Sequence, residues 1–282
     1  MRRLAAFLLI LIIAAGPLCG TAAAASDKPA GGELPERLPD EILMSFFDST
    51  MFAGDSMVSM FYNFTKTKWK ESPWFFSNVD FRTANSYKLR FASYRTIPSG
   101  ELKYAHITVL GRKVTLYSVV KDKKPEKLFI LAGINDALTT DYTRARQGRD
   151  ETGVERALRY IRETAEIMRE ASPGTAVYIV SQMPVTRSYV QGTNKAKKCQ
   201  ERWDEINEAV LAASEELGIR FVDLASGLKG EDGFLPAGLS GDGQYHLNKD
   251  GNEILARELL DFAQAEYEAG RWTPAEQAGT EE

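Results

Sequence analysis

Phe52-Ala53-Gly54-Asp55-Ser56-Met57 is the stretch around which the chain organises itself. An apolar run from Ser49 to Ala53 ends in a small glycine turn, and the turn delivers one serine to the start of a segment with helical patterning. A serine hydroxyl is inert at neutral pH unless a base takes its proton and donors hold the oxyanion that forms. A functional Ser56 therefore needs a histidine and an oxyanion hole elsewhere in the chain. Two later stretches supply candidates: Gly133-Ile134-Asn135-Asp136 after a second apolar run, and Asp242-Gly243-Gln244-Tyr245-His246-Leu247-Asn248 before the last helical segment.

Outward from that stretch, short apolar or β-branched runs bounded by turn formers alternate with longer amphipathic ones, the pattern of an α/β domain with a mostly parallel sheet. Five strands are expected, at residues 49–53, 78–83, 127–132, 176–182 and 220–223. The helices fall between them. Residues 151–171 carry Val154, Leu158, Ile161, Ala165 and Met168 on one stripe and stop at Ser172-Pro173-Gly174; residues 196–217 and 248–268 behave likewise. Residues 102–120 read either as a hairpin over the site or as a loop leading into a short helix. In an open parallel sheet ligands bind beyond the carboxyl ends of the strands, and Ser56, Asn135 and the 240–248 segment all follow strands. Only His106 and His246 are present as bases. His106 lies in the ambiguous stretch, where a surface or substrate-contacting role is expected, so His246 is the candidate base.

The chain opens with Met1-Arg2-Arg3, an apolar core over Leu4–Ala15 and the small-residue pattern Ala23-Ala24-Ala25. That is the layout of an export signal, and its core is shorter than the ~20 residues of a spanning helix. Cleavage after Ala25 is expected, with no stable membrane span afterwards. Cys19 lacks the small residue before it that lipidation needs, and its removal leaves Cys199 alone, so no intramolecular disulfide is expected. The expected layout is a signal over 1–25, a linker and N-terminal segment over 26–44, one domain over 45–270 and a mobile acidic tail over 271–282. About 255 residues are enough to bury a sizeable core. The net charge of -4 and pI near 5.5 give no reason to expect nucleic acid, and Lys195, Lys197 and Lys198 read as a solvated helix start. No metal site and no cofactor motif is expected, since the two histidines are far apart and no glycine-rich phosphate loop occurs. Asn63-Phe64-Thr65 matches a glycosylation acceptor by chance within a helix. Phe61, Tyr62, Trp69, Trp74, Phe75 and Phe76 are read as core and loop packing ahead of a sugar platform.

Gly54-Asp55-Ser56, Gly133-x-Asn135-Asp136 and the Asp242–His246 block, in this order, resemble the SGNH or GDSL hydrolase family over residues from Ser49 to the end of the last helix. The resemblance implies a flavodoxin-like three-layer αβα sandwich and a Ser-His-Asp triad. Carried over by position, Ser56 is the nucleophile, His246 the general base, and the Ser56 backbone N–H with the Asn135 side-chain amide the oxyanion donors. Asn135 also has an ordinary explanation as a turn-capping residue, and Asp136 is expected to hold the turn. Two departures stand out. Ala84-Asn85-Ser86-Tyr87-Lys88-Leu89 occupies the stretch where the family has a glycine that supplies a third oxyanion donor, leaving Ser86, Tyr87 or Lys88 as candidates. The family's aspartate lies three residues before the histidine, whereas position 243 is glycine and the candidate is Asp242, with Asp232 and Asp250 as alternatives.

The expected function is an exported serine esterase that removes a short, acetyl-like acyl group from a carbohydrate or other extracellular ester, with the cell envelope or an extracellular glycan as the setting. A carbohydrate O-acyltransferase would use the same residues. A binding or assembly protein that kept the fold and lost the chemistry is the reading from another class.

Overall fold

The computed structural model describes residues 36–137, 152–192 and 199–275. In chain order these form α1 (Asp40–Met44), β1 (Thr50–Gly54), α2 (Ser56–Lys68), β2 (Asp80–Thr83), α3 (Leu89–Ala92), β3 (Thr108–Val109), β4 (Arg112–Lys113) and α4 (Leu116–Lys123). They continue with β5 (Lys127–Leu131), α5 (Ile134–Ala137), α6 (Gly153–Ala171), β6 (Ala176–Val180), α7 (Arg187–Gly192), α8 (Cys199–Leu217), β7 (Arg220–Val222) and α9 (Lys249–Glu268). Five strands make one sheet in the order β2-β1-β5-β6-β7, and every neighbouring pair is parallel. All five are the expected strands, with ends shifted by up to two residues. The strand order reverses between β1 and β5, which is the switch point where such sheets bind ligands.

Because strand side chains alternate between faces, the sheet has two cores. Phe52, Phe129, Leu131, Tyr178, Val180 and Val222 face α1, α2 and α9; Met51, Ala53, Leu128, Ile130, Val177 and Ile179 face α3, α4, α6 and α8. The first face carries an aromatic ladder set by the parallel register. Phe52 is paired with Phe129 and Phe129 with Tyr178, and the rings stack at centroid distances of 4.8 and 4.4 Å, the spacing of adjacent strands.

Helix starts are specified locally. Asp55 caps α2, its carboxylate accepting the Met57 N–H; Thr152 caps α6 in a reciprocal box with Glu155; Asn248 caps α9. Residues 102–120 combine both expectations, a two-stranded hairpin of β3 and β4 followed by α4. None of the hairpin's residues lines the pocket at Ser56. His106 corrects its expectation: it is buried, with Nε2 3.0 Å from the Glu101 carbonyl and its ring 4.6 Å from that of Phe91. An imidazole with one backbone partner and an aromatic face is satisfied in a core, and it does not line the pocket at Ser56.

The compact unit that carries the sheet begins at Arg37. The stretch 37–44 therefore belongs to it: Leu38 donates its N–H to Gln264, and Leu43 and Met44 are buried. Trp272, at the head of the expected tail, packs edge-on against Phe46. The expected signal over 1–25, the lysines at 195, 197 and 198, and residues 276–282 lie outside the described residues. Among the described residues no helix is long and apolar enough to cross a membrane. Cys199 is a buried thiol.

Candidate active site

Gly54 closes β1 against β5. A Cβ there would lie 2.0 Å from the Leu131 carbonyl oxygen and 2.7 Å from a Val58 methyl, so only glycine lets the two strand ends approach this closely. The chain then turns through Asp55, and Ser56 becomes the first residue of α2, where helix N–H groups and the dipole favour negative charge.

The segment that carries His246 arrives from the other side of the sheet. Residues 240–248 are held by an antiparallel bridge between Ser240 and Leu247 and by Gly241 donating to the His246 carbonyl at 2.7 Å. Inside this loop Asp242 Oδ1 accepts the backbone N–H groups of Gln244, Tyr245 and His246 at 2.8, 3.2 and 3.3 Å. Its other oxygen lies 2.7 Å from His246 Nδ1, and His246 Nε2 lies 2.9 Å from Ser56 Oγ. Gly243 takes φ 73° and so absorbs the residue by which the spacing departs from the family's. The alternatives are elsewhere: Asp232 pairs with Arg187 at 2.9 Å, and Asp250 lies in the first turn of α9. Burial pushes the Asp242 carboxyl up, but the Gln244 N–H, the bond and charge of His246 and the Ser240 hydroxyl outweigh it and hold its pKa below the ordinary value.

Asn135 lies in α5, beyond the end of β5, and its side chain reaches under the Ser56 turn. Its Nδ2 donates to Asp55 Oδ2 at 3.0 Å and to the Tyr87 carbonyl at 3.2 Å, so both amide hydrogens have protein partners. The preceding Gly133 has φ 138°, and a Cβ there would meet Gln182 at 2.8 Å. Asp136 ties α5 to α3 by accepting the Leu89 N–H at 2.6 Å. Asp55 and Asp136 are both buried, and desolvation raises each pKa to about 7; the neighbouring charge of Asp136 adds to the rise at Asp55. Asp55, which joins the Ser56 turn to Asn135, is the residue of the candidate site that sequence reasoning passed over. Its signal was its place immediately before a helix start, where an aspartate is a cap.

The loop after β2 holds another answer. Ser86 has φ 63°, the left-handed conformation for which glycine is the usual residue. The Tyr87 N–H donates to the Ala84 carbonyl at 2.8 Å, which removes Tyr87 from the three candidate donors. Beside Ser56 lies an open pocket of about 580 Å³ lined by Ser59, Met60, Tyr62, Asn63, Thr83, Ala84 and Asn85. Of the aromatic group, Phe61, Phe75 and Phe76 are buried, while Tyr62 stacks on Phe81 at 4.8 Å and forms part of the pocket wall. Among the described residues no group of three His, Cys, Asp or Glu is placed to hold a metal ion.

A parallel sheet in this order, with a serine at a helix N-terminus within hydrogen-bond reach of a carboxylate-paired histidine, defines an α/β domain equipped for acyl transfer. Residues 53–254 match the model of the GDSL-like lipase/acylhydrolase family, and the chain belongs to that family; it is an ester hydrolase. Among solved structures it is similar to a protein assigned as a GDSL-like lipase from Parabacteroides merdae, at 18% identity and a TM-score of 0.54 over 77% of this chain and 94% of that one. It is also similar to one assigned as an acylhydrolase from Bacteroides fragilis, at 16% identity and a TM-score of 0.53 over 78% of this chain and 87% of that one. At such identities these likenesses establish the fold. No curated protein matches the chain.

Proposed function

We propose that the protein is an exported serine esterase that removes a short, acetyl-like acyl group from a carbohydrate or other extracytoplasmic ester, with Ser56, His246 and Asp242 as its triad. The observation that carries this is the unbroken chain of contacts from Asp242 through both nitrogens of His246 to Ser56 Oγ, at 2.7 and 2.9 Å. His246 takes the Ser56 proton as the hydroxyl attacks the ester carbonyl, then returns it to the departing alkoxide; Asp242 holds the imidazole tautomer that allows this. Water releases the acyl group by the same steps in reverse order. The Ser56 N–H and the Asn135 amide stabilise the oxyanion, and the Ser86 N–H, next to pocket-lining Asn85, is the proposed third donor. For Asn135 to take part, its longer bond, to the neutral Tyr87 carbonyl, gives way to a charge-assisted one. Hydroxyl and amide groups from Ser59, Tyr62, Asn63, Thr83 and Asn85 line the adjoining pocket and suit a polar, hydroxyl-bearing substrate. Export rests on the Met1–Ala25 pattern.

The test is fluorophosphonate labelling of the purified protein together with steady-state hydrolysis of nitrophenyl acetate. Labelling and turnover that vanish in Ser56→Ala are expected. Absence of labelling in the native protein would mean that Ser56 has no working base and would refute the proposed triad. Product analysis with an added sugar separates hydrolysis from transfer, and intact mass of protein from its native host reports whether residues 1–25 are removed.

A further inference from the structure

The β3–β4 hairpin exposes a residue that its geometry does not favour. Val109 pairs with Arg112, leaving Leu110-Gly111 as a two-residue turn, and both have positive φ, at 49° and 77°. Such turns select Asn, Asp or Gly at the first position because a Cβ is disfavoured in the left-handed region. Here a leucine occupies it and is 97% exposed, the most exposed large apolar side chain among the described residues. A strained backbone that presents an apolar side chain to solvent is unfavourable on both counts, and strain of this kind gathers at functional surfaces.

The surroundings name the partner. Leu102 and Tyr104, also exposed, are brought beside the hairpin by Lys113, whose Nζ donates to both of their backbone carbonyls at 2.6 and 2.7 Å. Lys103 lies over the Tyr104 ring at 5.3 Å, and Arg112 and Lys113 are exposed on β4. The single acid over residues 98–114, Glu101, is paired with Arg90 at 2.8 Å. This face is thus basic on a chain of net charge -4. An apolar tip, an amphipathic tyrosine at its base and a ring of cations are the three features that suit a lipid–water interface carrying negative charge.

We propose that this hairpin docks the protein on anionic membrane surfaces: Leu110 enters the acyl boundary, Leu102 and Tyr104 lie at headgroup level, and Lys103 and Arg112 meet lipid phosphates while Lys113 braces the patch. The docking is peripheral and independent of which ester is hydrolysed.

Co-sedimentation with sucrose-loaded vesicles tests it, using phosphatidylcholine alone and a 3:1 mixture of phosphatidylcholine and phosphatidylglycerol. The protein is the chain from Ser26, which keeps the compact unit from Arg37 and lacks the apolar Leu4–Ala15 stretch that would bind lipid by itself. Binding to the mixed vesicles, weakened by salt, is expected. Leu110→Asn should lower the partition coefficient about tenfold or more, and Arg112→Gln about fivefold. Asparagine tolerates the left-handed turn, so Leu110→Asn should keep or raise the melting temperature and leave turnover on soluble nitrophenyl acetate unchanged. Leu110→Trp should bind more tightly and show a blue-shifted emission on the mixed vesicles alone. Failure of the native chain to bind either vesicle would overturn the proposal and leave a protein contact as the use of this surface. Equal binding by Leu110→Asn would overturn it as well.

Discussion

Replacing Asp242 by asparagine isolates the orienting role of the carboxylate from its role in holding the loop. The asparagine oxygen can still accept the N–H groups of Gln244, Tyr245 and His246 that Oδ1 now accepts, so residues 240–248 keep their course. What changes is the atom 2.7 Å from His246 Nδ1, where an acceptor becomes a donor. Nδ1 must then accept, the ring proton moves to Nε2, and Nε2 faces Ser56 Oγ at 2.9 Å with no lone pair to take its proton. Loss of the correct tautomer in a serine protease lowers turnover by ~10⁴, equivalent to ~5.5 kcal/mol of barrier, and the same loss is expected here.

The Asp242 and His246 side chains are 30% and 26% exposed, so solvent screens the pair and its contribution to folding is small. Melting should therefore be almost unmoved while turnover collapses. Steady-state kinetics on nitrophenyl acetate, with Asp232→Asn and Asp250→Asn as comparisons expected to stay near wild type, provides the assay. If Asp242→Asn kept more than about a tenth of the activity while Ser56→Ala and His246→Ala abolished it, the site would be a Ser-His dyad and the orienting argument would fail.

Three further outcomes follow from the geometry. Asn135→Ala should lower turnover by ~100- to 1000-fold; because it also strips a donor from the buried Asp55 and from the Tyr87 carbonyl, it should destabilise the fold by about 1–3 kcal/mol, and a variant that melts normally and turns over normally would return Asn135 to an ordinary turn. Asp55 and Asp136 titrate near 3.8 when unfolded and at about 7 when folded, so the folded state holds more protons between those values. Their contribution is complete below about pH 4 and is lost as pH rises towards 7; urea midpoints should fall over that window, and a single Asp136→Asn substitution should flatten the decline. Gly54→Ala should destabilise by about 1–3 kcal/mol through overpacking, read as a lower melting temperature, and a neutral result would mean that β1 and β5 can separate at their ends.

The sheet was legible in the sequence because each strand is a short apolar run, and burial on both faces lets Met51-Phe52-Ala53 or Leu128-Phe129-Ile130 read as continuous rather than alternating. The rim was legible for a related reason: in a parallel sheet, whatever follows a strand arrives at one end, so Ser56, Asn135 and His246 could converge there. What could not be read depends on contacts between segments remote in sequence. Nothing local distinguishes a histidine in a core from one on a surface, and His106 is buried because Phe91 and the Glu101 carbonyl satisfy it. Gly243 looked like a break in the Asp-x-x-His spacing. It is the residue whose positive φ lets Asp242 collect three successive N–H groups and still reach Nδ1. Ser86 likewise looked like a missing glycine, yet it adopts the backbone conformation a glycine would supply.

Asp55 is where the fold and the candidate chemistry meet. One carboxylate oxygen accepts the Met57 N–H and so fixes the first turn of α2, which fixes the Ser56 N–H; the other accepts the Asn135 amide at 3.0 Å. Two of the three proposed oxyanion donors are thus referenced to a single buried group, and a change in its position moves them together. Burying a carboxylate is unfavourable, as its raised pKa records. An asparagine at position 55 could cap the helix equally well without that desolvation, but it would present Asn135 with a neutral acceptor or a competing donor. Capping alone therefore does not account for aspartate. Two donors held in one frame do, since preorganised dipoles stabilise a developing oxyanion without reorganising as charge builds.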